Sequence, residues 1–187
     1  MKYFSLTTIL LVFALTFGAF TSPNPAQAAS AAEIDRDARK ALGDLYAKSP
    51  SAKTLGEKAI GILVFPGIVK GGFIVGGQYG EGALIKDGNT VAYYNSVAAS
   101  YGLQAGLQKF GYALFFMTDS ALKWIDKSDG WEIGVGPSIV VVDVGAAASM
   151  TSTTAQSDIY AFFFDQKGLM AGLGLQGSKI TKITPGK

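Results

Sequence analysis

The 187-residue chain contains neither cysteine nor histidine. Without cysteine there is no disulfide framework and no thiolate nucleophile; without histidine the usual zinc ligand sets and Ser-His-Asp triads are also unavailable. Charge is scarce too: 16 Lys and Arg stand against 14 Asp and Glu, a net +2, so no global basic field draws nucleic acid. Catalysis would have to rest on carboxylates, Lys, Ser, Thr or Tyr. The carboxylate pairs Glu33 with Asp37 and Asp126 with Asp129 read instead as a charged helix face and the flanks of a turn. These absences point away from an enzyme, a metal centre or a bound cofactor.

Long apolar runs are confined to the start of the chain. Lys2 precedes an almost wholly apolar stretch from Phe4 to Phe20, Pro23 and Pro25 break the helix between it and Ala26, and Ala26-Gln27-Ala28 has the small-x-small pattern of a leader cleavage site. We expect residues 1–28 to be removed as a signal peptide, leaving 29–187 as one exported domain, periplasmic or extracellular, of net charge +1. With no cysteine after the apolar run, any membrane contact of the mature chain must be non-covalent.

Residues 31–48, "AAEIDRDARKALGDLYAK", place Ile34, Ala38, Ala41, Leu42 and Leu45 at helical spacing opposite charged positions. Ser30 is the expected N-cap and Pro50 the stop. A shorter helix is expected over 51–58. From Ile60 the period changes to that of strands, the first ending at Pro66. Asp87-Gly88 supplies a tight hairpin turn and Gln166 to Gly168 a second. A short helix begun by Asp119 and a strand "WEIGVGPSIVVV" following Asp129-Gly130 complete the pattern. The fold class is therefore α+β: an N-terminal amphipathic helix, then a glycine-rich, mainly antiparallel curved sheet or partly closed barrel with a short helical insertion.

Glycine is the most over-represented residue, at 24. Gly134 with Gly136, and Gly172 with Gly174, stand two apart, which would bare one face of each strand for sheet curvature, close packing or a ligand. The cluster Gly72, Gly76, Gly77, Gly80 and Gly82 matches neither G-x-G-x-x-G before a helix nor a P-loop, and a hairpin follows it, so a nucleotide site is not expected there.

Three ordered stretches carry a family resemblance. "ILVFPGIVKGGFIVGGQYGEGALI" at 62–85, "YGLQAGLQKFGYALFFMTDSAL" at 101–122 and "YAFFFDQKGLMAGLGLQGS" at 160–178 resemble the SYLF domain family over roughly residues 31–180. That resemblance implies a lipid-binding module that meets phospholipid, anionic in some relatives, through an N-terminal helix and basic residues. The positions implied are Ile34, Leu42 and Leu45 for apolar insertion, with Arg36, Arg39, Lys40, Lys53, Lys58 and Lys70 for head groups. Some relatives are associated with actin, a partner that an exported chain is not expected to meet.

The helix charges cancel, however. Asp35 with Arg39 and Asp44 with Lys48 stand at i,i+4 pairing distance, so apolar contact would have to outweigh electrostatic attraction, and packing of this helix on the sheet is the competing reading. Lys70 and Glu81 could form a structural pair. The alternative function is a structural or protein-interaction component of the envelope, with Tyr93, Tyr94, Phe162 and Phe164 at an interface.

Overall fold

The computed structural model describes residues 29–72, 75–101, 106–126, 130–142, 157–165 and 177–186. Helix α1 spans Ala31–Lys48 and α2 spans Pro50–Gly56. Four long strands follow, β1 Gly61–Gly72, β2 Val75–Lys86, β3 Asn89–Tyr101 and β4 Gly106–Phe116. Then come α3 Asp119–Trp124, β5 Trp131–Glu132, β6 Ile139–Val142, β7 Ile159–Phe164 and β8 Lys179–Ile183.

The strands form one sheet in the order β5-β8-β3-β2-β1-β4-β7-β6. Among the described strands every pairing is antiparallel except β6 with β7. This is the expected α+β class, with a curved, mostly antiparallel sheet. The curl can be measured: Trp131 on β5 and Phe116 on β4 are five strand steps apart, roughly 24 Å in a flat sheet, yet their ring centroids are 6.3 Å apart. The sheet is a half-barrel wrapped around Phe65, Tyr94, Tyr112, Phe116, Trp131 and their neighbours.

A second core lies on the outer face. Ile34, Ala38, Ala41, Leu42 and Leu45 of α1 pack with Ala52 and Leu55 of α2 over Ile62, Val64, Ala83, Ile85, Ala113 and Phe115 of the sheet. The small residues Ala38 and Ala41 let the helix approach closely. The Ser30 side chain accepts from the Glu33 backbone while the Glu33 carboxylate accepts from the Ser30 backbone, a reciprocal capping box. Pro50 ends the first helix and begins the second, whose N-cap is Ser49.

The Asp87-Gly88 turn forms as expected, both residues at positive φ (49° and 76°). Other expectations need correction. The first strand does not end at Pro66 but continues to Gly72, with an irregularity between Phe65 and Ile68 where Pro66 lacks an N–H to donate. Gly80 and Gly82 face this irregularity. A Cβ on Gly80 would stand 2.6 Å from the Gly67 carbonyl oxygen, and one on Gly82 would collide with the Val64 carbonyl. These two glycines admit the backbone of β1, as the close-packing reading requires.

The short helix begins at Asp119 as expected, and Thr118 caps it. The segment from Trp131 to Val142 is two short strands, not one. Gly134 and Gly136 stand between them at φ 107° and 98°, so they shape a turn and do not bare a strand face. Residues 1–28, Gln104, Asp129, the turn at 166–168, and Gly172 and Gly174 lie outside the described residues.

Candidate lipid-contact surface

The structure separates the residues that the sequence had grouped. Ile34, Leu42 and Leu45 are buried beneath α1, at 3%, 9% and 1% exposure, and in this arrangement none of them faces a bilayer. The charged side of the helix is largely paired. Arg36 Nε donates to Asp37 at 2.8 Å and Lys40 Nζ to Asp44 at 2.6 Å. Arg39 bonds Asp35 at 2.9 Å and reaches the hairpin, donating to the Gly88 carbonyl at 2.8 Å and to Thr90 Oγ1 at 3.2 Å. Asp35 also accepts from the Thr90 hydroxyl. The bonds from Arg39 and Thr90 hold the Asp35 carboxyl below its ordinary pKa. Arg39 therefore ties the helix to the β2–β3 turn.

Lys53 and Lys58 are exposed at and just after α2. Lys70 lies toward the far end of β1, half-buried and opposite Gln78 and Gln108, about 30 Å along the strand at ~3.3 Å per residue. These three lysines do not converge. Lys70 alternates onto the inner, concave face with Gln78, whereas Glu81 alternates onto the outer one, so the two do not pair. Glu81 instead accepts from the Ala29 backbone nitrogen at 3.1 Å and from Tyr79 Oη at 2.7 Å. Burial, then the Glu81 carboxylate, pushes the Tyr79 phenol up to about 12.

The aromatic residues of the interface alternative are also internal. Tyr94 and Phe162 are 0% exposed and Phe164 is 7%, while Tyr93 packs half-buried against the outer core. Tyr94 Oη donates to Asp126 at 2.8 Å, inside the curl, and Asp126 also receives Lys182 at 3.3 Å. These residues hold the half-barrel together and offer no interface.

A different surface emerges from the strand register. Alongside α1, part of the outer sheet face is left uncovered by the described residues, and one transverse row reads Lys109, Val69, Tyr79, Val97, Lys179 across β4, β1, β2, β3 and β8. Val69, Tyr79 and Val97 are 45%, 49% and 44% exposed, and both lysines are exposed. Leu107, at 78%, extends the apolar patch beside Gly71, and Gly77 and Ala99 continue that second row. An apolar strip with a cation at each end spans roughly 19 Å at the usual strand spacing. Contiguous exposed apolar surface of this kind marks a contact site for a partner or a membrane.

Sequence reasoning missed this strip because its members come from five strands and meet only through register. The local signal was the outward alternation of Val69, Tyr79 and Val97. Among the described residues no group of carboxylates could hold a metal ion, and no helix is long and apolar enough to cross a membrane.

A comparison with curated proteins finds no match. Residues 97–184 match the family model described as Ysc84, Las17-binding protein actin regulator. The matched segment runs from the end of β3 through β8 and contributes Val97, Leu107, Lys109 and Lys179 to the strip, while Val69 and Tyr79 precede it. This match falls within the stretch whose sequence resembles the SYLF domain family and agrees with that resemblance.

Proposed function

We propose that this protein is an exported lipid-binding module that lays the uncovered end of its outer sheet face against anionic phospholipid, with no chemical step of its own. The observation that carries the reading is the row Lys109-Val69-Tyr79-Val97-Lys179. Its apolar middle suits the acyl boundary and its lysines suit phosphate, each basic residue near an anionic surface contributing about 1 kcal/mol. The family match over residues 97–184 supports the same reading, since that family is associated with lipid binding and with actin-associated proteins. The leader-like residues 1–28 favour export, which would place the protein away from actin.

This reading moves lipid contact from the helix to the sheet. Insertion of Ile34, Leu42 and Leu45 would first require α1 to leave the outer core, exposing those side chains and the sheet residues beneath at roughly 25 cal/mol per Å². The sheet strip needs no such rearrangement.

Co-sedimentation of the exported protein with phosphatidylcholine vesicles, with and without phosphatidylserine, tests the proposal. Binding should favour the anionic vesicles at low salt, and Leu107→Asp should weaken it about tenfold, by removing apolar contact and adding like charge, without changing the melting temperature. Failure to bind either vesicle, or undiminished binding by Leu107→Asp, overturns it.

A further inference from the structure

Ala29 and Glu81 are separated by 52 residues in sequence, yet the Ala29 nitrogen stands 3.1 Å from Glu81 Oε2 in a partly buried setting. The other carboxylate oxygen is occupied by the Tyr79 hydroxyl at 2.7 Å. The adjoining residue Ser30 forms a parallel bridge with Gly186, fixing the start of α1 against the chain's other end. Independently, Ala26-Gln27-Ala28 places the expected leader cleavage immediately before Ala29. Hydrolysis of the Ala28–Ala29 amide leaves a carboxylate on Ala28 and an ammonium on Ala29. The nitrogen that meets Glu81 is therefore the one that processing would convert from a neutral amide to a cation.

We infer that Glu81, oriented by Tyr79, is the binding site for the α-ammonium of the processed chain, and that this ion pair fastens α1 to the sheet once the leader is gone. The groove around the pair, about 470 Å³, has its other carboxylates already engaged, Asp37 with Arg36, Asp44 with Lys40, Asp165 with Lys48 and Glu33 in the capping box, which leaves Glu81 to the Ala29 nitrogen and Tyr79. The precursor bond already ends on an ionised carboxylate, and conversion of its donor to an ammonium adds the attraction of opposite charges, so the mature chain holds this corner more tightly than the precursor. The pair also neutralises a carboxylate at the margin of the apolar strip, where an unpaired negative charge would repel an anionic membrane.

The inference rests on the export reading, and the test separates the two. The full chain is expressed in an exporting host, recovered, and its N-terminus read by mass spectrometry. Transamination with pyridoxal 5′-phosphate then converts the terminal alanine amine to a ketone and leaves lysine side chains intact. Glu81→Gln, which keeps an acceptor for Tyr79, removes the other partner.

A chain beginning at Ala29 is expected. Each change alone should lower the melting temperature by about 3 °C and speed hydrogen exchange in α1 about fivefold, and the two together should do no more than either alone. An Ala29 start with silent or additive changes overturns the ammonium site and leaves export standing. A chain that keeps Met1 overturns both.

Discussion

The outer face of the sheet has two halves that share strands and differ in cover. Under α1, the outward positions Ile62, Val64, Ala83, Ile85, Ala113 and Phe115 are all buried. A few residues further along the same strands, Val69, Tyr79, Val97 and Leu107 are comparably apolar and stand in solvent. The alternation of the pleat is the same in both halves. The helix lies over only one half of that face, and an apolar surface that the described residues leave uncovered is available to something else. Packing resides in the covered half, and the proposed contact in the open one.

The sharpest way to break that division is to truncate a large side chain in each half. Phe115→Ala empties space between α1 and the sheet, where the ring meets Phe162 at 5.1 Å and Tyr46 at 6.4 Å. Urea unfolding should show a loss of about 3–5 kcal/mol. Val97→Ala in the open half should cost no more than about 0.5 kcal/mol in the same assay. Equal losses would mean that the two halves are one cooperative core.

Gly80→Ala probes the boundary between the halves. Its Cβ would meet the Gly67 carbonyl and the Ile68 side chain, and backbone cannot swing aside as a flexible side chain can. A cost of about 1–3 kcal/mol follows, with vesicle binding also reduced because the β1 irregularity just before Val69 shifts. Unchanged stability would show that β1 yields at this point.

The ends of the strip should act electrostatically. Lys109→Ala and Lys179→Ala should each weaken binding to phosphatidylserine vesicles about fivefold at low ionic strength. The difference should fade near 1 M salt, where screening extends only about 3 Å, and neither should alter the melting temperature. A salt-independent loss would assign these lysines a packing role.

The smallest effect is a pH signature of the covered half. The Asp35 carboxyl is held below its ordinary value of 3.8 by its hydrogen bonds from Arg39 and Thr90. A lowered folded-state pKa contributes stability that is present above the unfolded value and lost as pH falls through the folded one. Asp35→Asn should therefore flatten the stability profile below about pH 4 relative to the parent, and lower stability slightly at pH 7. A parallel shift across all pH values would rule out that titration.

Several features were legible in the chain because their causes are local. The helix 31–48 follows from apolar spacing, a Ser30–Glu33 capping box and Pro50, all within a few residues of one another. The β2–β3 hairpin follows from Asp87-Gly88, whose positive φ values the turn demands. The burial of Ile34, Leu42 and Leu45 was not legible. An apolar helical face has the same sequence whether it meets a sheet or a membrane, and the sheet it meets is assembled from β1, β2 and β4. The strand expected from 131 to 142 failed for a similar reason. Its apolar residues fit a strand, but the edges of the half-barrel need a turn at Gly134 to Gly136, so that Trp131 can pack into the curl and donate its indole N–H to the Val135 carbonyl at 2.9 Å.

By itself, then, the sequence determined the elements whose bounds are set by neighbours in the chain: a capped helix, a tight turn and a chemistry without thiol or imidazole. Tertiary structure alone decided which apolar residues are core and which form a surface. That distinction depends on where α1 lies over the sheet and on strand register, which brings Val69, Tyr79, Val97, Lys109 and Lys179 into one row across five strands. No window of sequence contains that row, because the hydrogen bonds that align it run between strands.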